Sequence, residues 1–467
     1  VKRQGLFLIV IYLVTRLVCW QLRPVYYDAF EYVRVVDQAR EMGVVAAVVE
    51  SHQPVHTLYL LMAGGLGEVT GWTGAMVLAV LSLLAGLTVV IGWNGIVKEM
   101  GGSWWSGLVL LLLPGMIVIN TNIMYEGILL MFQVWMVWAM VKYLRLRQGK
   151  WLVLSGVLAG LGQLVTIGNW MFWLPLILYW KWKRELSWKE IIEWGVGMGI
   201  VAGAVDWTVL GSISVVWEKY SRFATSFVSA NGGIIVWWGR VIRNALFAGW
   251  NLLGPVGVGV IGWGIWKGRK DGGQWWIWRV ILISALVAVQ YWHFWYWGRV
   301  GISMLLATAW WGGEILLRET GWKRWVVIIL LVAQAGWAIN TQLSKNYIQA
   351  LEEVVREKTE QQRWVTSDSV RMAYEEMGVT PLLIIRQGES DLNELKELVE
   401  QGEVWIDEAA LTYPYWQPDG WGYQMLSRRD GEMPINKWVE EHCEREQVVE
   451  RESQPILRIF RVSNCDE

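Results

Sequence analysis

Apolar residues in this chain run rather than alternate. Stretches of about 20 largely apolar residues recur, and each is long enough to cross roughly 30 Å of hydrocarbon as a helix. The pattern predicts eleven spans: 5–22, 74–97, 104–119, 124–141, 151–167, 169–180, 190–209, 244–266, 274–292, 300–317 and 325–342. Three regions interrupt it. Residues 23–73 form a long first loop, inside which "VHTLYLLMAGGL" (55–66) is too short to cross and is expected to lie in the interface or re-enter shallowly. A second loop, 210–243, contains the flexible "SANGG". Beyond residue 342 the chain turns polar. There the short runs "RWVTS", "PLLIIR", "EVWID" and "ILRIFRV" alternate with helix-like "SVRMAYEEMG" and "DLNELKELVEQG", the pattern of a small α/β unit. The expected architecture is a polytopic α-helical membrane domain, 1–342, followed by a small α/β domain, 343–467. No internal repeat is visible.

Composition excludes a soluble globule. With 54% hydrophobic and 18% charged residues, the chain has too few polar groups to cover a water-exposed surface. Many of the 37 tryptophans, among them Trp104, Trp105, Trp275, Trp276, Trp295 and Trp297, stand at the ends of apolar runs, where an amphipathic ring anchors at the interface. Charge orients the spans. Lys98, Lys142, Arg145, Arg147, Lys150, Lys181, Lys183, Lys189, Lys267, Lys270, Lys323 and Arg324 share one side with Lys2 and Arg3, while the connections at 120–123 and around 168 carry no cation. The positive-inside bias makes the first side cytoplasmic. Both loops and the tail are then extracytoplasmic, and the chain reads as a multi-pass protein of the cell membrane. The basic start followed by an apolar run, with no small-residue cleavage site, reads as a retained anchor. A net charge of −1 singles out no partner. Cys19 in the first run, with Cys443 and Cys465 in the tail, gives no metal framework and leaves a tail disulfide open.

Ionisable groups at membrane depth are costly and mark candidate sites. Arg16, Asp28, Glu126, Asp206, Arg243, His293 and Arg299 all fall near the external face. They either pair to hold the bundle together or line a shared external cavity. Their convergence on one face favours the cavity.

At this point a resemblance becomes visible. "TRLVCWQLRPVYYDAFEYVRVVDQAREMG" followed by "HQPVHTLYLLMAG" resembles the opening of the GT-C superfamily of membrane glycosyltransferases, with Arg16, Asp28, Tyr32, Ala39, Arg40, Gly43, His52 and Pro54 at matching places. "PGMIVINTNIMYEGILLMFQ" resembles the family's later external turn, where Glu126 takes the acidic position. "GVLAGLGQLVTIGNWMFWLP" matches a further span at Gly156, Gly160 and Leu161, and "HFWYWGRVGISMLLATAWW" matches a late segment at His293 and Arg299. The resemblance covers residues 5–317. The chain departs from it in having His-Gln-Pro for His-Pro-Pro, no Arg after "l-t" at "TIGN", Val300 after the late Arg, and eleven residues from Asp28 to Ala39. These departures leave the subfamily and the sugar open.

The resemblance implies sugar transfer from a polyprenyl-phosphate donor to an extracytoplasmic glycolipid, envelope glycan or protein. Such a reaction needs a base for the acceptor hydroxyl and donors for the departing phosphate. Asp28 is the expected base, with Glu31 as substitute, although an Asp opening a helix over 29–42 also suits a capping role. Arg299 suits the phosphate because guanidinium presents a planar fork, unless it only snorkels to headgroups. Arg243, with Arg222 and Arg240, is a weaker candidate for the same work. Arg16, Tyr32, Arg40, His52, Glu126 and His293 complete the expected substrate-binding set, Glu126 orienting sugar or acceptor hydroxyl. Arg34, Asp37 and Glu41 read as a solvated face without salt bridges. His52 and His56 at i,i+4, with His293, raise a metal site, but Gln53 stands where a membrane metalloprotease needs its Glu. No metal and no other cofactor is expected. Two other classes compete: a transporter or flippase for lipid-linked sugars, disfavoured by the missing repeat and the lack of matched Gly/Pro interruptions, and a catalytically silent scaffold.

Overall fold

The computed structural model describes residues 2–22, 24, 27–51, 56–211, 234–267, 274–291, 301–358, 362–367, 370–385, 389–412, 434–453 and 456–466. The chain forms two compact units, one of Val1–Leu22 with Glu31–Ile339, the other of Arg23–Phe30 with Asn340–Glu467.

The first unit is helical. It holds α1 (Lys2–Val18), α2 (Tyr27–Met42, from Glu31 on), α3 (Val44–Glu50), α4 (Thr57–Thr70), α5 (Gly74–Met100), α6 (Trp105–Leu112), α7 (Pro114–Thr121) and α8 (Glu126–Leu146). Then follow α9 (Gly149–Val165), α10 (Trp170–Trp182), α11 (Trp188–Leu210), α12 (Ile234–Lys267), α13 (Gln274–Tyr291), α14 (Met304–Arg318) and α15 (Trp322–Leu343, up to Ile339). Each apolar run of the sequence overlaps a helix, because in hydrocarbon the backbone has to satisfy its own hydrogen bonds. Among the described residues four helices are long and apolar enough to cross a membrane: Gly74–Met100, Glu126–Leu146, Ala248–Trp266 and Trp322–Leu343.

Hydropathy misplaces several boundaries. The interfacial helix extends to Thr70, a short α3 precedes it, and α12 begins at Ile234, so the second loop is shorter than 210–243. Among the described residues two apolar segments are interrupted. The run 104–119 breaks at Leu113, whose extended backbone (φ −72°, ψ 134°) precedes Pro114. Inside α12, Gly254 adopts φ 66°, ψ 176° before Pro255. Proline removes a donor and clashes with the preceding turn, yet one proline barely alters the hydropathy of a run. At the second break Gln334 on α15 replaces the lost bonds: its Nε2 donates to Leu253 O (2.8 Å) and its Oε1 accepts from Val256 N (3.0 Å). Elsewhere small residues bring helices together. A Cβ on Gly156 or Gly160 of α9 would collide with the Trp194 or Met198 carbonyl of α11, the close approach that small-xxx-small spacing permits.

The second unit is built on a five-stranded sheet of order β2-β1-β3-β5-β4. Its elements are α16 (Tyr347–Glu357), β1 (Trp364–Ser367), α17 (Arg371–Glu376), β2 (Leu383–Ile385), α18 (Glu389–Glu400), β3 (Val404–Asp407), α19 (Glu408–Thr412), α20 (Pro434–His442), β4 (Glu444–Arg451) and β5 (Leu457–Ser463). β1 runs parallel to β2 and β3, whereas β5 is antiparallel to β3 and β4. α16 buries Tyr347, Ile348, Leu351, Val354 and Val355, one helical face, in a cluster with Phe30, Trp364, Tyr374 and Ile459. β4, "EREQVVER", is absent from the sequence reading. It is an edge strand, and its charges blunt the exposed edge while hiding the apolar alternation. A Cys443–Cys465 disulfide joins the end of α20 to the residues after β5.

Candidate functional site

Lys98, Lys142, Arg145, Lys150, Lys181, Lys183 and Lys189 all stand at one end of α5, α8, α9, α10 and α11. At the other end, where those helices carry no cation, polar and aromatic side chains gather. Glu126 opens α8 and is fully buried, with its carboxylate at the positive end of that helix's dipole. The preceding Tyr125 stacks on His56, just before α4, with ring centroids 4.1 Å apart. Tyr32 of α2 meets His56 edge-on at 5.7 Å and Tyr59 at 5.1 Å. Tyr59 is within electrostatic reach of Glu126.

His56 also fixes a tautomer. Its Nδ1 lies 2.7 Å from Val165 O, and a carbonyl only accepts, so Nδ1 carries the proton. That bond ties the start of α4 to the end of α9. Thr57 Oγ1 lies 3.5 Å from Asp206 Oδ1 near the end of α11, a long contact between two buried groups. Beneath this cluster a narrow cavity enters the bundle. Glu126, Gln133, Thr166, Asn169, Phe172 and Ser303 are among its walls. Gln133 Nε2 donates to Asn169 Oδ1 at 3.1 Å.

The site residues expected from the sequence fall into separate groups. Tyr32 and Glu126 belong to the cluster just described. Arg16, fully buried, donates from one guanidinium nitrogen to Leu111 O (2.9 Å) and from another to Thr15 Oγ1 (2.7 Å), and it lies 5.2 Å from the Tyr12 ring centroid. It therefore supplies a donor to a carbonyl freed where α6 gives way to α7. Asp28 sits, buried, in the first turn of α2, among the residues of the second unit. Glu31 is buried and held by a two-pronged Arg34 guanidinium at 2.6 and 2.8 Å. Arg40 is exposed and lies 3.7 Å from Asp37, outside the buried aromatic cluster. These two pairs correct the expected unpaired face: partners meet at i,i+3, not at i,i+4. Asp37 also accepts Gly74 N at 2.9 Å, pinning the start of α5. His52, His293 and Arg299 lie outside the described residues, as does the side chain of Arg243 in α12. Among the described residues no group of three His, Cys, Asp or Glu side chains could hold a metal ion.

Sequence reasoning missed Tyr59, Tyr125, Gln133 and Asn169, and weighed His56 only as a metal ligand. The signal available for them was weak: polar side chains at the ends of apolar runs, on the side without lysines.

Comparison with known proteins bears on the fold. Residues 50–207 match the family model described as dolichyl-phosphate-mannose-protein mannosyltransferase. No curated protein sequence matches the chain. Among solved structures, ArnT from Cupriavidus metallidurans bound to undecaprenyl phosphate superimposes with TM-score 0.55 at 11% identity, over 98% of this chain and 97% of that one. Its apo state gives TM-score 0.53 at 10% identity, with the same coverage of 98% and 97%. The archaeal oligosaccharyltransferase AglB from Archaeoglobus fulgidus, in complex with an inhibitory peptide and a dolichol-phosphate, gives 0.51 at 11% identity, over 100% of this chain and 74% of that one. At such identities the likeness is one of fold, which this chain shares with ArnT and AglB over nearly its whole length.

Proposed function

We propose that the protein is a glycosyltransferase that moves a sugar from a polyprenyl-phosphate donor to an extracytoplasmic acceptor. The observation that carries this reading is the buried Glu126 carboxylate among Tyr32, His56, Tyr59 and Tyr125, at the cation-free ends of the helices of a GT-C fold. Similarity of residues 50–207 to a mannosyltransferase family that uses a dolichyl-phosphate sugar supports the donor class. So does the undecaprenyl phosphate bound by the structurally similar ArnT.

In this reading the reaction is a single inverting displacement. Asp28 takes the proton of the acceptor hydroxyl as its oxygen bonds to the anomeric carbon. The bond from that carbon to the phosphate oxygen breaks, and polyprenyl phosphate leaves with the electron pair. Glu126 accepts hydrogen bonds that orient sugar or acceptor, while Arg299, with Arg243 as a second cation, receives the phosphate charge. No metal or other cofactor enters. The Cys443–Cys465 bond suits an oxidising compartment and supports an extracytoplasmic position for the second unit.

Interrupted helices are also a transporter feature, so the test has to isolate product. Purified protein is incubated with radiolabelled undecaprenyl phosphates carrying mannose, glucose, galactose or arabinose, together with envelope lipids, glycans and peptides. Label in a new covalent product is expected. Label that only crosses a vesicle membrane on unaltered donor would establish transport instead.

A further inference from the structure

The cavity beneath Glu126 has a chemistry of its own, set by a chain of hydrogen bonds. Asn169 Nδ2 donates to Ala159 O at 3.4 Å, and since a carbonyl only accepts, the Asn169 amide has to present its oxygen on the other side. That oxygen meets Gln133 at 3.1 Å, so Gln133 has to present its nitrogen there. The remaining Gln133 atom, Oε1, is buried with no hydrogen-bond partner among the described residues. One backbone carbonyl of α9 thus fixes two amides in sequence and leaves an acceptor over. Buried acceptors without partners are rare and costly, so a donor from outside the protein is the natural complement.

The other walls say what kind of donor. Thr166 and Ser303 contribute hydroxyls, Glu126 a carboxylate and Phe172 a ring face, and no lysine or arginine lines the cavity among the described residues. A phosphate would meet the Glu126 carboxylate and the Gln133 Oε1 acceptor there, without a cation to offset its charge. A sugar hydroxyl donates to one acceptor while taking a bond from a neighbouring hydroxyl, and its ring carbons suit an aromatic face. We infer that this cavity receives a hydroxyl-bearing arm of the donor sugar, with Gln133 Oε1 accepting from one hydroxyl and so selecting which sugar is used. The inference rests on the glycosyltransferase reading above. It deepens that reading by separating a neutral, acceptor-lined sugar recess from the cationic groups that would hold phosphate.

The experiment is a comparison of donor analogues against cavity variants. From the undecaprenyl-phosphate panel, the sugar that wild type transfers is resynthesised as its monodeoxy derivatives. kcat and KM are measured for each with wild type, Gln133→Leu and Thr166→Val. Wild type is expected to discriminate against one deoxy position far more than the others, because a site built to bond a hydroxyl rejects the analogue lacking it. Gln133→Leu is expected to raise KM for the full sugar about 3- to 10-fold and to abolish the preference at that one position. Binding of sugar-free undecaprenyl phosphate should be unchanged. Thr166→Val, nearly isosteric and outside the Gln133–Asn169 pair, tests another wall residue without disturbing the amides, and should raise KM without changing sugar-free binding. The inference is overturned if Gln133→Leu, unfolding at the wild-type temperature, keeps the wild-type ranking of deoxy sugars. It also falls if both variants weaken sugar-free binding as much as sugar-bearing binding. Failure of wild type to transfer any sugar of the panel would instead overturn the glycosyltransferase reading on which it rests.

Discussion

Asp407 offers a prediction whose size follows from its surroundings. The carboxylate ends β3, is fully buried, and accepts from Thr366 Oγ1 (2.5 Å), Tyr374 OH (3.0 Å) and Ala410 N (3.0 Å). Those bonds favour the charged form, but burial outweighs them and raises its pKa from 3.8 to about 6. A carboxyl that titrates higher when folded than when unfolded holds its proton longer in the native state. Its contribution to stability is therefore intact below pH about 4 and lost as pH rises through about 6. A shift of about 2 units corresponds to about 3 kcal/mol at 1.36 kcal/mol per unit. Asp407→Asn cannot ionise. Whatever its fixed cost, its stability relative to wild type should improve by about 3 kcal/mol between pH 4 and pH 7. The measurement is urea unfolding of the full chain in detergent at several pH values, with pulse proteolysis reporting residues 340–467. A difference between variant and wild type that stays flat across that range would show that Asp407 does not carry the shift.

Other substitutions probe the first unit and the disulfide. Gln334→Leu leaves Leu253 O and Val256 N without their partner and should lower stability by about 1–3 kcal/mol, read as a lower unfolding midpoint in detergent; an unchanged midpoint would mean that the break in α12 needs no bracing. Asp28→Asn and Glu126→Gln should each reduce sugar transfer by about 10²-fold or more with normal membrane insertion, and near-normal turnover in either would remove that residue from the mechanism. Cys443→Ser should cost about 3 kcal/mol in the second unit, and reductant should destabilise wild type but not the variant. Equal sensitivity of both to reductant would contradict the bond.

Where helices form was written in the sequence, because twenty apolar residues in lipid have no better option than to bond to themselves. The same holds for β1, β2, β3 and β5, whose apolar residues stand out against a polar tail. What the sequence could not fix is how ends of different helices meet. Arg16 looked like a site residue because a cation at membrane depth demands an explanation. The explanation is local, a carbonyl at Leu111 left open where Leu113 and Pro114 interrupt a run that hydropathy reads as continuous. Glu31 and Arg40 carry charges that single them out in the sequence, and each meets a partner three residues away on the same helix. His56 meets Val165 across 109 positions, and Gln133 meets Asn169 across 36. No local periodicity encodes such pairings, since they depend on which helices lie side by side and at what height. Hydrophobic burial is non-directional and decides only that a segment enters the bundle. Hydrogen bonds are directional and can be satisfied only between groups already brought within 3 Å or so, and it is packing that brings Tyr32, His56, Tyr59, Tyr125 and Glu126 to one place.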